Sequence, residues 1–228
     1  MDNTIKWSFL GCVEYNKAAV LQEKLRSDML QSTGNKPGYL LLLEHKPVIT
    51  AGRFGNDKNL LTSEAVLMQK GIQLVRTSRG GDYTFHGPGQ LVCYPVINLR
   101  KIGIGVKDYV RSLESLIINV LDYYNINASR RDGYPGVWTG NKKIAFIGIS
   151  VSRYITMHGF SLNYNVDNLN YTYMNPCGIN GLRVTSMSEH YKGKLEINEL
   201  VIRVLLEFGK TFNCNIEEDE MIVNTDFN

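Results

Sequence analysis

Late in the chain, a turn too short to hold a helix separates two apolar segments. Gly136–Thr139 and Lys143–Val151 flank Gly140-Asn141, and strands joined by so short a turn pair antiparallel. A regular series of strand, helix, strand is thereby excluded, because parallel strands need crossovers of a dozen residues or more. The other segments agree with a mixed order. Ile5–Leu10, Gly38–Leu43 (bounded by Pro37), Val48–Thr50, Gln73–Thr77, Leu91–Ile97 and one or two stretches of Tyr154–Val166 read as strands. Tyr15–Gln31 carries Leu21, Leu25 and Met29 at helical spacing, and Ser63–Lys70 ends at Gly71 as a short helix should. Val106–Tyr124 has the best apolar stripe: Val106, Tyr109, Val110, Leu113, Leu116, Ile117, Val120, Leu121 and Tyr124. A last helix is expected over about Ile197–Phe208, with a polar, acidic tail behind it. Few helices among adjacent hairpins predict an α+β (mixed α/β) single domain spanning 1–228, with a mixed central sheet and helices packed on it.

Several function classes fall away early. A formal net charge of +3, spread without a dense Lys/Arg run, does not suggest a nucleic-acid binder. No apolar run approaches the roughly 18 residues of a membrane span. Met1–Trp7 carries polar and acidic residues, so no signal peptide is expected; Tyr15–Gln31 already reads as domain structure, so no transit peptide is expected either, and the reading is cytoplasmic. Cys12, Cys93, Cys177 and Cys214 are far apart and form no CxxC pair, which indicates reduced thiols and neither a zinc site nor a redox motif.

Two segments carry candidate chemistry. Arg79–Gln90 holds four glycines and a proline between two strands, with Arg79, Thr84 and His86 among them. Glycine lets backbone approach a ligand closely, so the segment is either a substrate loop or an ordinary tight connection. No Gly-Lys-Ser/Thr follows, so it is not a P-loop, and it does not enter a helix as a dinucleotide fingerprint would. The second segment is Asn175-Pro176-Cys177-Gly178, where proline and glycine break regular structure and present a thiol on a loop. Cys93, inside an apolar strand, reads as inert.

A nucleophilic cysteine needs a cationic or basic neighbour. His45, His86, His158, His190 and several lysines are candidates, and the sequence does not choose among them, although His86 fits a pocket wall best. Strand alternation puts Lys143, Ala145 and Ile147 on one face and Lys142, Ile144 and Phe146 on the other. One lysine of the pair then points inward, unless both are simply solvated beside the turn.

Taken together, these motifs resemble the lipoyl(octanoyl) transferases. The matching pieces are Glu44-His45-x-Pro47, Arg79-Gly80-Gly81-x-x-Thr84-x-His86-Gly87-Pro88-Gly89-Gln90, Gly136-Val137-Trp138, Lys143-Ile144-Ala145-x-Ile147-Gly148, His158-Gly159-Phe160 and Pro176-Cys177-Gly178. They occur in the family's order over roughly residues 40–187. The resemblance implies the fold of biotin and lipoate protein ligases. It also implies transfer of an octanoyl group from octanoyl-acyl carrier protein to lysines of lipoyl domains. The acceptors would be 2-oxoacid dehydrogenase E2 subunits and the glycine cleavage H protein, and no cofactor or metal is called for.

By the same resemblance Cys177 matches the acyl-accepting cysteine and Lys143 the lysine that favours its thiolate and shuttles protons. The acyl pocket would be lined by Arg79, Gly80, Gly81, Asp82, Tyr83, Thr84, Phe85 and His86, by Phe146, Ile147 and Gly148, and by Gly159, Phe160 and Ser161. Lys46, Ala51 and Ser161 depart from the family pattern; Ser161 stands where alanine is usual and makes that wall more polar. Three rival readings remain: an ATP-dependent ligase on the same fold, an acyl-carrier binding module, and a thioesterase.

Overall fold

A computed structural model describes residues 4–31 and 38–219. In chain order the elements are β1 (Thr4–Val13), α1 (Tyr15–Gln31), β2 (Gly38–His45), β3 (Val48–Ala51), α2 (Glu64–Gln69), β4 (Gln73–Arg76), β5 (Tyr83–His86), β6 (Gln90–Val96), α3 (Val106–Tyr123), β7 (Val137–Thr139), β8 (Lys142–Ser152), β9 (Ile155–Asn163), α4 (Ile197–Phe212) and β10 (Asn215–Glu218). Pro37, read as the bound of the second strand, lies outside the described residues.

Two sheets result. The larger runs β10-β1-β2-β6-β9-β8-β7, and the smaller runs β4-β3-β5. In the larger sheet β1 is parallel to β2 and β10, and the remaining neighbours are antiparallel. The mixed sheet and the hairpin at Gly140-Asn141 are as the sequence predicts.

Why β2 is an unbroken run of leucines follows from its two faces. Leu40 and Leu42 pack under α3 and α4 with Leu113, Leu116, Ile117, Val204 and Phe208. Leu41 and Leu43 pack on α1 against Ala18, Leu21, Leu25 and Met29. A strand covered on both sides has no polar face, so alternation disappears from its sequence. The inert reading of Cys93 fits its place in the first cluster, where burial pushes its thiol well above the ordinary value.

Four expectations need correction. β2 continues through Glu44 and His45, because His45 is fully buried and its ring hydrogen bonds remove the cost of enclosing it. Inside the glycine-rich segment lies a strand, β5, paired with β3. The acidic tail forms β10 on the edge of the main sheet, with only Ile216 as an apolar residue to signal it. In α3, Val106 is exposed at the first turn, whereas Glu114, beside the stripe, is buried.

Leu116 lies in the fully enclosed layer between α3 and the sheet, whereas Ile202 sits on the outer face of α4, 58% exposed. Leu116→Ala should cost about 2–5 kcal/mol in urea unfolding, and Ile202→Ala should stay within about 0.5 kcal/mol. Equal losses would mean that α3 does not seal the core.

Candidate active site

The larger sheet and the smaller one converge on Cys177. Asn175 to Gly178 forms a single tight turn in which Cys177 has φ 59°, the left-handed region that non-glycine residues rarely enter. Its neighbours hold it there. Asn175 N–H donates to the Asn59 carbonyl at 2.8 Å, and Asn59 Nδ2 donates to Asp82 Oδ2 at 2.6 Å. A Cβ on Gly178 would come 2.8 Å from that same Asp82 oxygen, so glycine is required both for space and for its own φ of 71°. A strained backbone position that its surroundings fix in this way is typical of functional turns.

Lys143 reaches the thiol from β8. Opposite it, β7 is out of step: Val137 pairs with Ala145 and Trp138 with Lys143, which leaves Ile144 as an extra residue. This bulge overrides the alternation read from the sequence. Lys143 and Phe146 now meet, the ammonium lying 5.1 Å from the Phe146 ring centre and 5.4 Å from that of Trp138. Ile144 and Ala145 instead join the core under α3. The Lys143 backbone is further tied to the segment after the cysteine turn, donating to the Arg183 carbonyl at 2.8 Å and accepting from Thr185 at 3.0 Å.

Lys143 Nζ donates to the Pro135 carbonyl at 2.8 Å and lies 3.5 Å from Cys177 Sγ. The residue is 2% exposed, whereas Lys142 is partly exposed and paired with Glu189. An enclosed ammonium with one carbonyl and two ring faces for company is under-compensated. The thiolate form of Cys177 would supply the missing charge.

Two cavities meet at the thiol. One is a narrow pocket of about 460 Å³, mouth included, running inward between the sheets; its walls are Arg79–Asp82, Thr84, His86, Tyr94, Phe146–Gly148, His158–Ser161 and Cys177. The other is a cleft of about 870 Å³, mouth included, bounded by Val110, Gly133–Pro135, Lys143, Ile147–Ile149 and Ile179. Gly80, Gly81, Ile147, Gly148 and Cys177 border both.

Of the residues expected at the pocket, Tyr83 and Phe85 are turned away. β5 alternates, so Thr84 and His86 face the pocket while Tyr83 and Phe85 enter the core of the smaller sheet. Tyr94 and His158 line it as well; Tyr94 went unnoticed because an aromatic in an apolar strand gives no signal of its own. Arg79 is a clamp as much as a wall. Its guanidinium donates to the Thr50 carbonyl at 2.6 Å, to Thr50 Oγ1 at 2.8 Å and to the Asp82 carbonyl at 2.7 Å, locking the glycine loop onto β3. Thr84 Oγ1, Ser161 Oγ and His158 Nδ1 are buried and have no hydrogen-bond partner.

Behind the pocket lies a buried cluster of imidazoles and phenols. His45 Nδ1 donates to the Val13 carbonyl at 3.1 Å, which leaves Nε2 to accept from the Tyr94 hydroxyl at 2.8 Å. His86 Nδ1 donates to Gln90 Oε1 at 2.7 Å, and its ring stacks on that of Tyr15. Burial holds His45 and His158 at about 4 and His86 well below its ordinary value. All three are neutral in the folded protein at neutral pH.

The fold is that of the lipoate and biotin protein ligases. Over 98% of this chain and 90% of the other, it superposes with a TM-score of 0.75 at 14% identity on the bi-partite lipoate protein ligase of Thermoplasma acidophilum. On the biotin protein ligase of Aquifex aeolicus the score is 0.56 at 13% identity, over 91% and 70%. Sequence narrows the class: residues 14–209 match the lipoyl protein ligase A/B catalytic domain, and the chain belongs to that family. It is also 44% identical to the octanoyltransferase of Alkaliphilus metalliredigens, over 92% of this chain and 95% of that one.

The three histidines make stability acid-sensitive in a defined window. Unfolded imidazoles bind protons below about pH 6.5, whereas folded His45 and His158 resist them until about 4. Stability is therefore complete above that upper limit and is lost as pH falls through the window, each ring adding up to about 1.4 kcal/mol per pH unit. Urea titrations from pH 7 to 4.5 should show this slope, and His45→Gln should make it shallower. A flat profile would mean that the rings take up protons equally in the folded and unfolded states.

Proposed function

We propose that this chain, acting as one catalytic domain, transfers an octanoyl group from acyl carrier protein to a lysine of lipoyl domains through a thioester on Cys177. The observation that carries the route is the contact of Lys143 Nζ with Cys177 Sγ at the junction of a narrow pocket and a wider cleft. The acyl class rests on relatives named octanoyltransferase that match most of the chain. The acceptors are those of protein lipoylation, namely E2 lipoyl domains and the glycine cleavage H protein, and the setting is the cytoplasm. Among the described residues no helix is long and apolar enough to cross a membrane.

Two transfers close the cycle. The Cys177 thiolate attacks the donor's thioester carbonyl, the acyl–sulfur bond to the donor breaks, and the Lys143 ammonium gives its proton to the departing thiolate, leaving the donor's arm as a free thiol. The octanoyl chain lies in the pocket between Phe146 and His86, and the arm that delivered it leaves by the cleft. The acceptor's amine then enters the same cleft and attacks the enzyme thioester. Neutral Lys143 takes the amine's proton, and Cys177 departs as thiolate beside the restored ammonium. Exchange between thioesters is nearly balanced and amide formation runs downhill, so the donor itself drives the reaction without ATP.

The ligase-like fold also suits an enzyme that first activates a free acid with ATP, and fold alone does not separate the two. Intact-protein mass does. Mixed with octanoyl-acyl carrier protein and no ATP, the wild type should gain one octanoyl group and lose it to an added lipoyl domain, and Cys177→Ala should gain none. Transfer that persists in Cys177→Ala, or that requires ATP and octanoic acid, would overturn the thioester route.

A further inference from the structure

One peptide group, Pro135–Gly136, is gripped from both sides. Its carbonyl accepts from Lys143 Nζ at 2.8 Å, and its N–H donates to Glu114 Oε1 at 3.0 Å. Glu114 projects from α3, is 6% exposed, and borders a stripe that is otherwise apolar. Its second oxygen, Oε2, accepts from Arg130 Nε at 3.1 Å. Arg130 is fixed in turn by the Arg111 carbonyl at 3.0 Å and by Ser115 Oγ.

The glycine in this peptide is not interchangeable. Gly136 has φ 121°, and a Cβ there would stand 2.6 Å from Lys143 Cε and 2.5 Å from the Ala145 carbonyl. The lysine stem therefore fills the space that a side chain at Gly136 would need, and the tilt of the peptide decides where its carbonyl points. A lysine side chain has four rotatable bonds, and the other neighbours of this ammonium are ring faces and the thiol itself. The Pro135 carbonyl is the directional contact that can hold it.

We propose that Glu114 is a positioning residue for the Cys177–Lys143 pair. By fixing the Pro135–Gly136 peptide, it aims the Pro135 carbonyl so that the Lys143 ammonium stays against Cys177 Sγ. This rests on the cysteine–lysine reading above. A structural role in joining α3 to Arg130 would leave thiol chemistry untouched, and that difference makes the idea testable.

The test follows alkylation of Cys177 by iodoacetamide against pH, read by peptide mass, in wild type, Glu114→Gln, Glu114→Asp and Lys143→Ala, with thermal melting alongside. Glutamine keeps the reach to the Gly136 N–H and should leave the curve where it is. Aspartate keeps the charge but is one methylene short. In Glu114→Asp, alkylation at pH 7 should fall about tenfold, the curve moving up by about one pH unit toward that of Lys143→Ala. Acyl-enzyme formation from octanoyl-acyl carrier protein should slow in parallel. A wild-type curve for Glu114→Asp beside a displaced one for Lys143→Ala would overturn the role of Glu114 alone. So would a Glu114→Gln curve displaced as far as that of Glu114→Asp, or lowered melting temperatures with unmoved curves. An unmoved Lys143→Ala curve would instead sink the cysteine–lysine pair itself.

Discussion

An ammonium group enclosed by protein has to be answered by an opposite charge or by several well-aimed acceptors, and around Lys143 there are few of either. One carbonyl, one sulfur and two aromatic faces make up its surroundings. Much of the local architecture serves this arrangement. The bulge in β8 turns the lysine toward the thiol, the missing side chain at Gly136 makes room for its stem, and the pairing of Lys143 with Arg183 and Thr185 docks the segment that follows the cysteine turn. A neutral residue of similar size would be easier to bury. Keeping the charge is reasonable where a reaction needs a proton to be held, released and taken back.

The two sheets divide the labour. The larger one, packed on both faces, supplies Lys143, the strip from Phe146 to Gly148 and the strip from His158 to Ser161. The smaller sheet supplies Thr84 and His86, and it is joined to the cysteine turn through Asn59 and Asp82. Arg79 is the rivet between the glycine loop and β3, with neutral oxygens as its direct partners. Because the walls belong to different sheets, the width of the pocket is set by loop packing and by the glycines at 80, 148 and 159 more than by any one side chain. Gly159 is needed within the larger sheet itself: a Cβ there would stand 2.2 Å from the Cys93 carbonyl of the neighbouring strand.

How much of this the sequence discloses depends on whether a feature is local. The stripe of α3, the spacing of α1 and the hairpin at Gly140-Asn141 are set by neighbours in the chain, and all three are legible. The run of leucines in β2 identifies a buried strand, though not which helices cover it. β5 and β10 are short and owe their existence to partners far along the chain, so local patterning misses them. Cys177 and Lys143 are paired by the resemblance of motifs, and in the structure they are in contact. Alternation puts Ala145 beside Lys143 and Phe146 opposite it, and the extra residue in β8 reverses both, although Ile147 still borders the same cleft as Lys143. Glu114 gave no warning at all, because a glutamate beside an amphipathic stripe ordinarily faces water.

β10 has a consequence outside the chemistry. It covers β1, whose outer backbone would otherwise be a ready template for another chain, and it does so with Asn215, Glu217 and Glu218 around a single isoleucine. The anchorage is reinforced where Asp219 N–H donates to the Trp7 carbonyl at 2.8 Å and Lys6 pairs with the Asp219 carboxylate at 3.1 Å. The new border is four residues long and acidic, a poor surface on which a second sheet could grow. The tail thus acts as a hem: it ends the sheet in a strip that repels its own kind and so guards against aggregation.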